Sequence, residues 1–413
     1  MTQVNLTLSE KEVLQVLTGD RDDAIKFLLE KILNEIMRTE SEEQLGAAKH
    51  ERSENRQDYR NGTRERELNT RIGTLTLSVP RHRNEPFHTM VFENYERSEA
   101  ALIATMVQMV VMGVSSRKVE RVVETLCGTS FSKSTVSELC KRLDKDIEEF
   151  KNRPLEFQDI PFLMLDATYF KVREDYKVKS KAFFVALAFK PDGRREVIGF
   201  DVFDCEENYS WKTFLSGLKE RGLHDVRMVI SDSHKSIRAA IADVYPEAAW
   251  QRCQVHFQRN ILDAAPNKYK DALAFELRKM FTAKNVEEAR RIKNAIAEEY
   301  ADAAEKSINI LENGFEETMT AMCLPEHLYV KLRTTNYLER LNRELKRRSD
   351  AIQVFPNTDS VLRLMGAVTM ELSNRFVGGN IMYSEKSLAK IQEGAYPTLR
   401  RIALDQLALI RAA

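Results

Sequence analysis

The chain is expected to fold as a mixed α/β protein, a sheet with helices on its faces, interrupted by an all-helical insertion and preceded by a helical region. Three observations predict this. Apolar runs of strand length cluster between residues 161 and 253 and alternate with helical patterns. The stretch from 266 to 323, with KDALAFELRKM and VEEARRIKNAIAEEYAD, is charged and helix-forming and shows no strand signal. The first 150 residues carry helical spacing, broken by one short alternating segment.

A chain of 413 residues can hold two or three domains and a sizeable core. Its 43% hydrophobic and 31% charged residues exclude global disorder. Net charge is zero, so any nucleic-acid binding must use local basic patches, and a simple polybasic binder is disfavoured. The five cysteines (Cys127, Cys140, Cys205, Cys253, Cys323) form no CxxC, which argues against a disulfide framework and for a reducing cytosol. MTQVNLTLSE lacks the basic and apolar regions of a secretory signal. Ala100 to Val114 is too short to span a bilayer and reads as a buried helix, so a soluble chain without a membrane partner is expected.

In order, residues 8 to 48 show helical spacing (Leu14, Leu17, Phe27, Leu28, Ile32, Ile36), as a bundle or oligomerisation surface would. From Lys49 to Arg97 arginines recur (Arg52, Arg56, Arg60, Arg64, Arg66, Arg71), with a turn signal at Asn61-Gly62 and alternation from Thr70 to Pro80. Interleaved acids make a solvated charged face as good a reading as a phosphate-binding one. Helices are expected at 100–114, 115–126 and, after a turn at Gly128, 132–150, with Ser132 or Ser134 capping the third. The last two suit a helix-turn-helix whose second helix, Ser134 to Arg142, would enter a major groove, with Lys133 and Ser134 at its start. Helix pairs are also common in any α-rich domain.

Strands follow at Pro161–Phe170, Ala182–Lys190 and Glu196–Phe203, the last two joined by the turn Pro191-Asp192-Gly193. Then come a helix near 210–221, a strand at 227–231, a helix at 236–244, a strand at 249–253 and a helix from about 255. The order βββ-α-β-α-β-α is that of the ribonuclease-H-like fold. Expected divisions are 1–98 (helical and basic), 99–155 (helix-turn-helix-like), 156–265 (first part of the core), 266–328 (all-α insertion) and 329–413 (core completion and terminal helices).

The chemistry centres on PFLMLDATYF. A carboxylate at Asp166, inside an apolar strand, costs several kcal/mol unless its charge is compensated. Asp232 ends the strand VRMVISD, and Glu339 opens the helix in TTNYLERLNRELKRR. Three acids on separate elements can converge on Mg²⁺ or Mn²⁺, hard ions that prefer oxygen, and activate water or a DNA 3′-hydroxyl. The plainer alternatives are that Asp232 caps the helix after it and that Glu339 belongs to a capping arrangement with Asn336. For Asp166 the plain alternative is weakest, because an acid in mid-strand with Phe162 and Leu163 before it and Phe170 after needs a partner. Cations crowd Glu339 (Arg333, Arg340, Arg343, Lys346, Arg347, Arg348), which fits a phosphodiester substrate better than a merely solvated helix. Cys253 and His256 are only two ligands where zinc needs four; His256 could instead position a phosphate, orient an acid or pack in the core, and His234 has no decisive support.

LDATYFKVRE, VISDSHKSI, QRCQVHFQRNIL and RTTNYLERLNRELKRR together resemble the IS256 family of bacterial insertion-sequence transposases, within the Mutator-like group. DYRNGTRERELNTRIGTLTLSVPRHR, GVSSRKVERVVETLCGTSFSKSTVS and FPNTDSVLRLMGAV extend the resemblance over nearly the whole chain. It implies a DDE transposase with Asp166, Asp232 and Glu339 as the triad, and a Cys-x-x-His signature at Cys253 and His256. It further implies terminal inverted repeats and target DNA as partners, recognition upstream of the core, and a bacterial cytoplasmic, nucleoid-associated location. Gln254 departs from the family, many members of which carry Trp there; FVGGNIMY, from Phe376 to Tyr383, has no confident match. Joining two element ends calls for a homodimer or larger assembly. No P-loop is present, so no nucleotide cofactor is implied. A ribonuclease-H-like nuclease without strand transfer and a helix-turn-helix regulator are the competing readings.

Overall fold

The computed structural model describes residues 8–48, 51, 56–70, 73–89, 100–127, 132–155 and 160–412, in two units, Met1–Arg142 and Leu143–Ala413. The expected turn at Gly128, and Arg52, Arg71 and Ile72, lie outside the described residues.

In the first unit the helical spacing near the start becomes α1 (Glu10–Thr18) and α2 (Arg21–Leu45). Helix α2 lays Leu29, Leu33 and Met37 on an antiparallel pair, β1 (Arg60–Thr70) and β2 (Gly73–His82), whose Leu75, Leu77 and Val79 alternate inward. Asn61-Gly62 does not make the expected turn. It lies inside β1, where pairing slips between Arg60 and Thr63 and Gly62 takes a φ of 76°, a bulge that lets the strand continue. Helices α3 (Ala100–Val111), α4 (Ser116–Cys127) and α5 (Lys133–Cys140) share a core of Ile103, Met106, Val119, Val123 and Val136. Ser132 caps α5 by accepting the Thr135 N–H at 3.2 Å.

The single helix expected over 132–150 is two helices. Helix α5 closes with a tightened turn, Lys141 N–H to Glu138 O, and α6 (Leu143–Asn152) belongs to the second unit. The apolar residues explain the break: Val136 packs in the first unit, whereas Ile147 lies against Gly366 in the second.

The second unit holds a five-stranded sheet of order β5-β4-β3-β6-β7. Strands β3 (Phe162–Glu174), β4 (Lys177–Phe189) and β5 (Arg195–Phe203) are antiparallel; β6 (Met228–Ser231) and β7 (Ala249–Arg252) run parallel to β3. Strand β3 is longer than its apolar run because it continues into a hairpin with β4 that the sequence reading missed. Helices α7 (Asn208–Glu220) and α8 (Lys235–Val244) cover one face, burying Trp211, Leu215, Ile237 and Ile241 against Leu163 and Phe184. After α9 (Gln254–Ala264), helices α10 (Lys270–Phe281), α11 (Val286–Tyr300) and α12 (Glu305–Met319) build a separate core on Leu277, Met280, Ile296, Leu311 and Phe315.

Helices α13 (Glu326–Leu332), α14 (Asn336–Ser349) and α15 (Thr358–Val377) return the chain to the sheet, followed by α16 (Glu385–Gly394) and α17 (Tyr396–Ala412). Gln406 of α17 accepts the Trp250 N–H at 2.8 Å and donates to the Trp250 carbonyl at 2.9 Å, which covers the open edge of β7. Among the described residues, no helix is long and apolar enough to cross a membrane.

The unmatched FVGGNIMY segment docks on the Pro191-Asp192-Gly193 turn. Met382 N–H donates to Gly193 O at 2.8 Å, and Tyr383 Oη–H to Lys190 O at 2.8 Å. Gly193 has a φ of 77°, and a Cβ there would run into the Tyr383 backbone. Gly193→Ala is therefore expected to cost about 2–4 kcal/mol, combining a left-handed alanine with an overpacked contact. Gly62→Ala, with a φ of 76° but open space around it, should cost only the backbone part, roughly 1 kcal/mol. Denaturant unfolding of the two variants separates the terms, and equal losses would refute the docking argument.

Candidate active site

The cleft forms where the sheet runs out on one side of β3. Pairing between β3 and β6 ends at Met164 with Ile230, so Asp166 lies beyond the last β6 partner while still opposite Val185 of β4. Its Oδ1 accepts the Ala167 N–H at 2.9 Å and its Oδ2 accepts Asn342 Nδ2–H at 2.9 Å. Burial, then the nearby Asp232, push the Asp166 carboxyl up to about 7. Asp232 is the first residue after β6, and one of its oxygens accepts the His234 N–H at 3.2 Å. It thus shapes the turn into α8 and lines the cleft, but it does not cap α8, whose N-cap is the exposed His234 with no side-chain cap bond.

Glu339 lies in the first turn of α14. The expected cap at Asn336 is corrected: Thr335 holds the N-cap position without a side-chain cap bond, and Asn336 is the first helical residue. Glu339 Oε1 is 3.5 Å from His256 Nε2 and is buried without a hydrogen bond. Cys253, at the N-cap of α9, accepts Thr335 N–H and Oγ1–H, each at 3.4 Å, and the Gln254 N–H donates to Arg333 O. Cys253 and His256 therefore tie the start of α9 to the start of the Glu339 helix. The contact with Cys253 raises His256 to about 9, against its burial. Burial pushes the Cys253 thiol up, but the His256 contact brings it below its ordinary value. Gln254 is buried and donates to Thr318 O at 2.8 Å and Tyr329 Oη at 3.0 Å, fastening α12 to α13.

Asp166, Asp232, Glu339, His256, Asn342, Arg259, Arg343 and Lys346 line one open cleft of about 380 Å³. Of the cations expected around Glu339, Arg343 and Lys346 line it. Arg340 is exposed on the same helix, Arg347 is exposed and pairs with Glu344 at 2.7 Å, and Arg333 donates to Phe281 O. Arg348 is corrected. It is 1% exposed and held by Glu344 and Glu371, each at 2.7 Å, so it is not on the basic surface. Lys133 and Ser134 are exposed at the start of α5 in the first unit.

Sequence reasoning missed Asn342, three residues after Glu339, and Arg259, three after His256. Both follow from helical spacing, which puts i and i+3 on one face. It also missed Glu206, just before α7, which adds negative charge near Asp166 and is itself pushed up by burial.

Among the described residues, no three His, Cys, Asp or Glu groups close on a single point tightly enough to hold one metal ion. The donor chemistry nevertheless fits a hard cation. The facing groups are carboxylates, Asp166 resists ionising beside Asp232, and Glu339 Oε1 is a buried acceptor without a hydrogen bond, 3.5 Å from His256 Nε2.

A family model described as "Transposase, Mutator family" matches residues 1–379. The chain is 41% identical over 386 residues to the transposase for insertion sequence element IS256 in transposon Tn4001 of Staphylococcus aureus, covering 93% of this chain and 99% of that protein. It is 41% identical over 373 residues to the transposase for insertion sequence element ISRM5 of Rhizobium meliloti, covering 89% and 94%. To the transposase for IS1081 of Mycobacterium tuberculosis it is 32% identical over 380 residues, covering 92% of each chain.

Proposed function

This chain belongs to the Mutator family of transposases, and we propose that it cuts DNA at the terminal inverted repeats of an insertion sequence and joins the freed 3′-hydroxyl to target DNA. The observation that carries this reading is the meeting of Asp166, Asp232 and Glu339, from three separate elements, in one open cleft edged by Arg259, Arg343 and Lys346. We read the sheet as a ribonuclease-H-like core, with three antiparallel strands continuing into two parallel ones and an acid at the expected end.

The three carboxylates would hold Mg²⁺ or Mn²⁺, which when bound supplies positive charge that activates the attacking oxygen and steadies the leaving one. The chain's own residues do the rest. Asn342 holds Asp166 in place, and His256 sets its positive charge against Glu339. Arg259, Arg343 and Lys346 offset phosphate charge at the mouth. Helices α4 and α5, with Lys133 and Ser134, would read the repeat, and two ends would be assembled by at least a dimer on DNA.

The test is strand transfer of a labelled duplex of the inverted repeat flanking the gene, in Mg²⁺ or Mn²⁺, with binding and light scattering measured on the same samples. Wild type should join, and Asp166→Asn, Asp232→Asn and Glu339→Gln should bind as a dimer or larger without joining. Cleavage without joining by wild type would favour a nuclease. Binding with neither would favour a regulator, and monomers on bound DNA would remove the dimer.

A further inference from the structure

Strand β3 does not stop at the cleft. From Asp166 it runs on to Glu174 and returns as β4 from Lys177, paired residue for residue over the whole length. At strand rise, the outer end stands about 30 Å along the strand from Asp166. Strands β6 and β7 end beside the cleft, and β5 pairs β4 only as far as Ala182. Beyond these limits the hairpin is a two-stranded arm continuous with the cleft floor.

The two faces of the arm differ. Opposed residues in an antiparallel pair share a face. Phe170, Val172 and Glu174 face the body: Phe170 and Val172 are buried, Phe170 meets the Phe355 ring, and Glu174 accepts from Thr358 at 2.8 Å. Phe355 also bonds the strand itself, its N–H to Lys171 O and its carbonyl to Arg173 N–H. The acids here are matched, Glu174 with Lys179 and Lys181, and Asp175 with Lys179.

The other face is open. Tyr169 (39% exposed), Lys171, Arg173, Val178 and Ser180 lie along it. Lys171 and Arg173 are exposed and make no ion pair or side-chain hydrogen bond among the described residues. At the tip, Asp175 and Tyr176 have φ values of 49° and 61°. This is the twist a tight hairpin needs, but glycine or asparagine usually supplies it. A tyrosine held left-handed and fully exposed is a local cost with no packing return in this chain, the kind of feature found where a surface meets a partner.

We propose that this arm is a second DNA contact: it lies along the sugar–phosphate backbone of the duplex whose scissile end enters the cleft. Lys171 and Arg173 meet phosphates, and Tyr169 and Tyr176 meet sugars or exposed bases. The body-facing side is anchored through Phe355 and Thr358, so the arm holds the duplex at a fixed distance from Asp166. This rests on the DNA-processing reading above and adds a surface to it.

The test uses the full chain and a fluorescent duplex of the inverted repeat flanking the gene, titrated over a range of salt concentrations. Lys171→Ala and Arg173→Ala are combined, with Tyr176→Ala made separately. Each lost phosphate contact removes close to one unit from the slope of log affinity against log salt. The double variant should therefore lose about 2 units of slope and bind more weakly by roughly 10-fold or more at moderate salt, with its thermal midpoint unchanged. Tyr176→Ala should weaken binding with the slope intact. An unchanged slope in the double variant, with wild type joining normally, overturns the arm alone. A wild type that binds no duplex overturns the arm and the DNA-processing reading together.

Discussion

Asp166→Asn is expected to abolish strand transfer, by roughly 10³-fold or more, and to make the metal-free protein more stable than wild type at neutral pH. The first half follows from removing a charged ligand. The second follows from what the fold does to that charge. Asp166 lies in an apolar strand next to Asp232, and its carboxyl is pushed up to about 7, burial being the larger cause. An unfolded aspartate titrates near 4. Between those values the folded chain holds a proton that the unfolded chain has released, so stability falls as pH rises through the window. The contribution is fully present below pH 4 and lost above pH 7. An amide carries no such charge. It can keep the Ala167 bond, and the buried Asn342 Oδ1, which has no hydrogen bond, can turn to accept from the new amide nitrogen. The gain at pH 8 is on the order of 2–4 kcal/mol, and it should vanish near pH 4. Thermal midpoints of both proteins at the two pH values, in chelator, give the answer. Equal midpoints at pH 8 would mean that Asp166 carries no unpaid charge. A proton competes with a cation for the same carboxylate, so joining by wild type should need more metal as the pH is lowered, and should decline through this range at subsaturating metal.

The cost of burying Asp166 is already legible in the sequence. PFLMLDATYF announces its own cost, since an acid amid Phe162, Leu163 and Phe170 needs a partner, and the strand and the cleft around it follow. The order of strands and helices along the chain was legible for a similar reason: short apolar runs there alternate with amphipathic helical patterns. The β3–β4 hairpin was not legible, because KVREDYKVKS is charged throughout and its turn uses Asp175 and Tyr176 where a glycine or asparagine signal would have been sought. At Asn61-Gly62 the opposite error arose, a strong turn signal spent on a bulge. Asn342 and Arg259 were hidden by residue type. An amide and one more arginine in a basic stretch look ordinary until the helix phase sets them beside Glu339 and His256. Contacts such as Gln406 on the β7 edge depend on tertiary placement that no local pattern encodes.

Arg348 shows the same limit in energetic terms, and its replacement should be the most damaging of the basic-helix substitutions to stability. In the sequence it is one of several cations after Glu339. In the fold its side chain is 1% exposed; Nε meets Glu344 at 2.7 Å and Nη1 meets Glu371 at 2.7 Å, joining α14 to α15. Arg348→Ala leaves two half-buried carboxylates facing a cavity, and breaking a buried pair from one side costs about 3–5 kcal/mol. Arg348→Lys should recover only part of this, because one ammonium cannot match the guanidinium fork toward two acids. The thermal midpoint of the alanine variant should fall by roughly 6–15 °C. Its pH dependence identifies the cause. Hydrogen bonds from Arg347 and then Arg348 hold the Glu344 carboxyl down at about 2, and Glu371 is also lowered, Arg348 first among the causes. The stabilisation is therefore present above the ordinary glutamate range and lost as pH falls toward 2, so the gap between wild type and variant should persist to about pH 5 and narrow below it. DNA binding supplies the independent readout. Measured where both proteins are folded, Arg348→Ala should leave the salt slope for the end duplex unchanged, whereas Arg343→Ala and Lys346→Ala should each reduce it by about one unit with little change in midpoint. A reduced slope with an unchanged midpoint for Arg348→Ala would return that residue to the DNA surface.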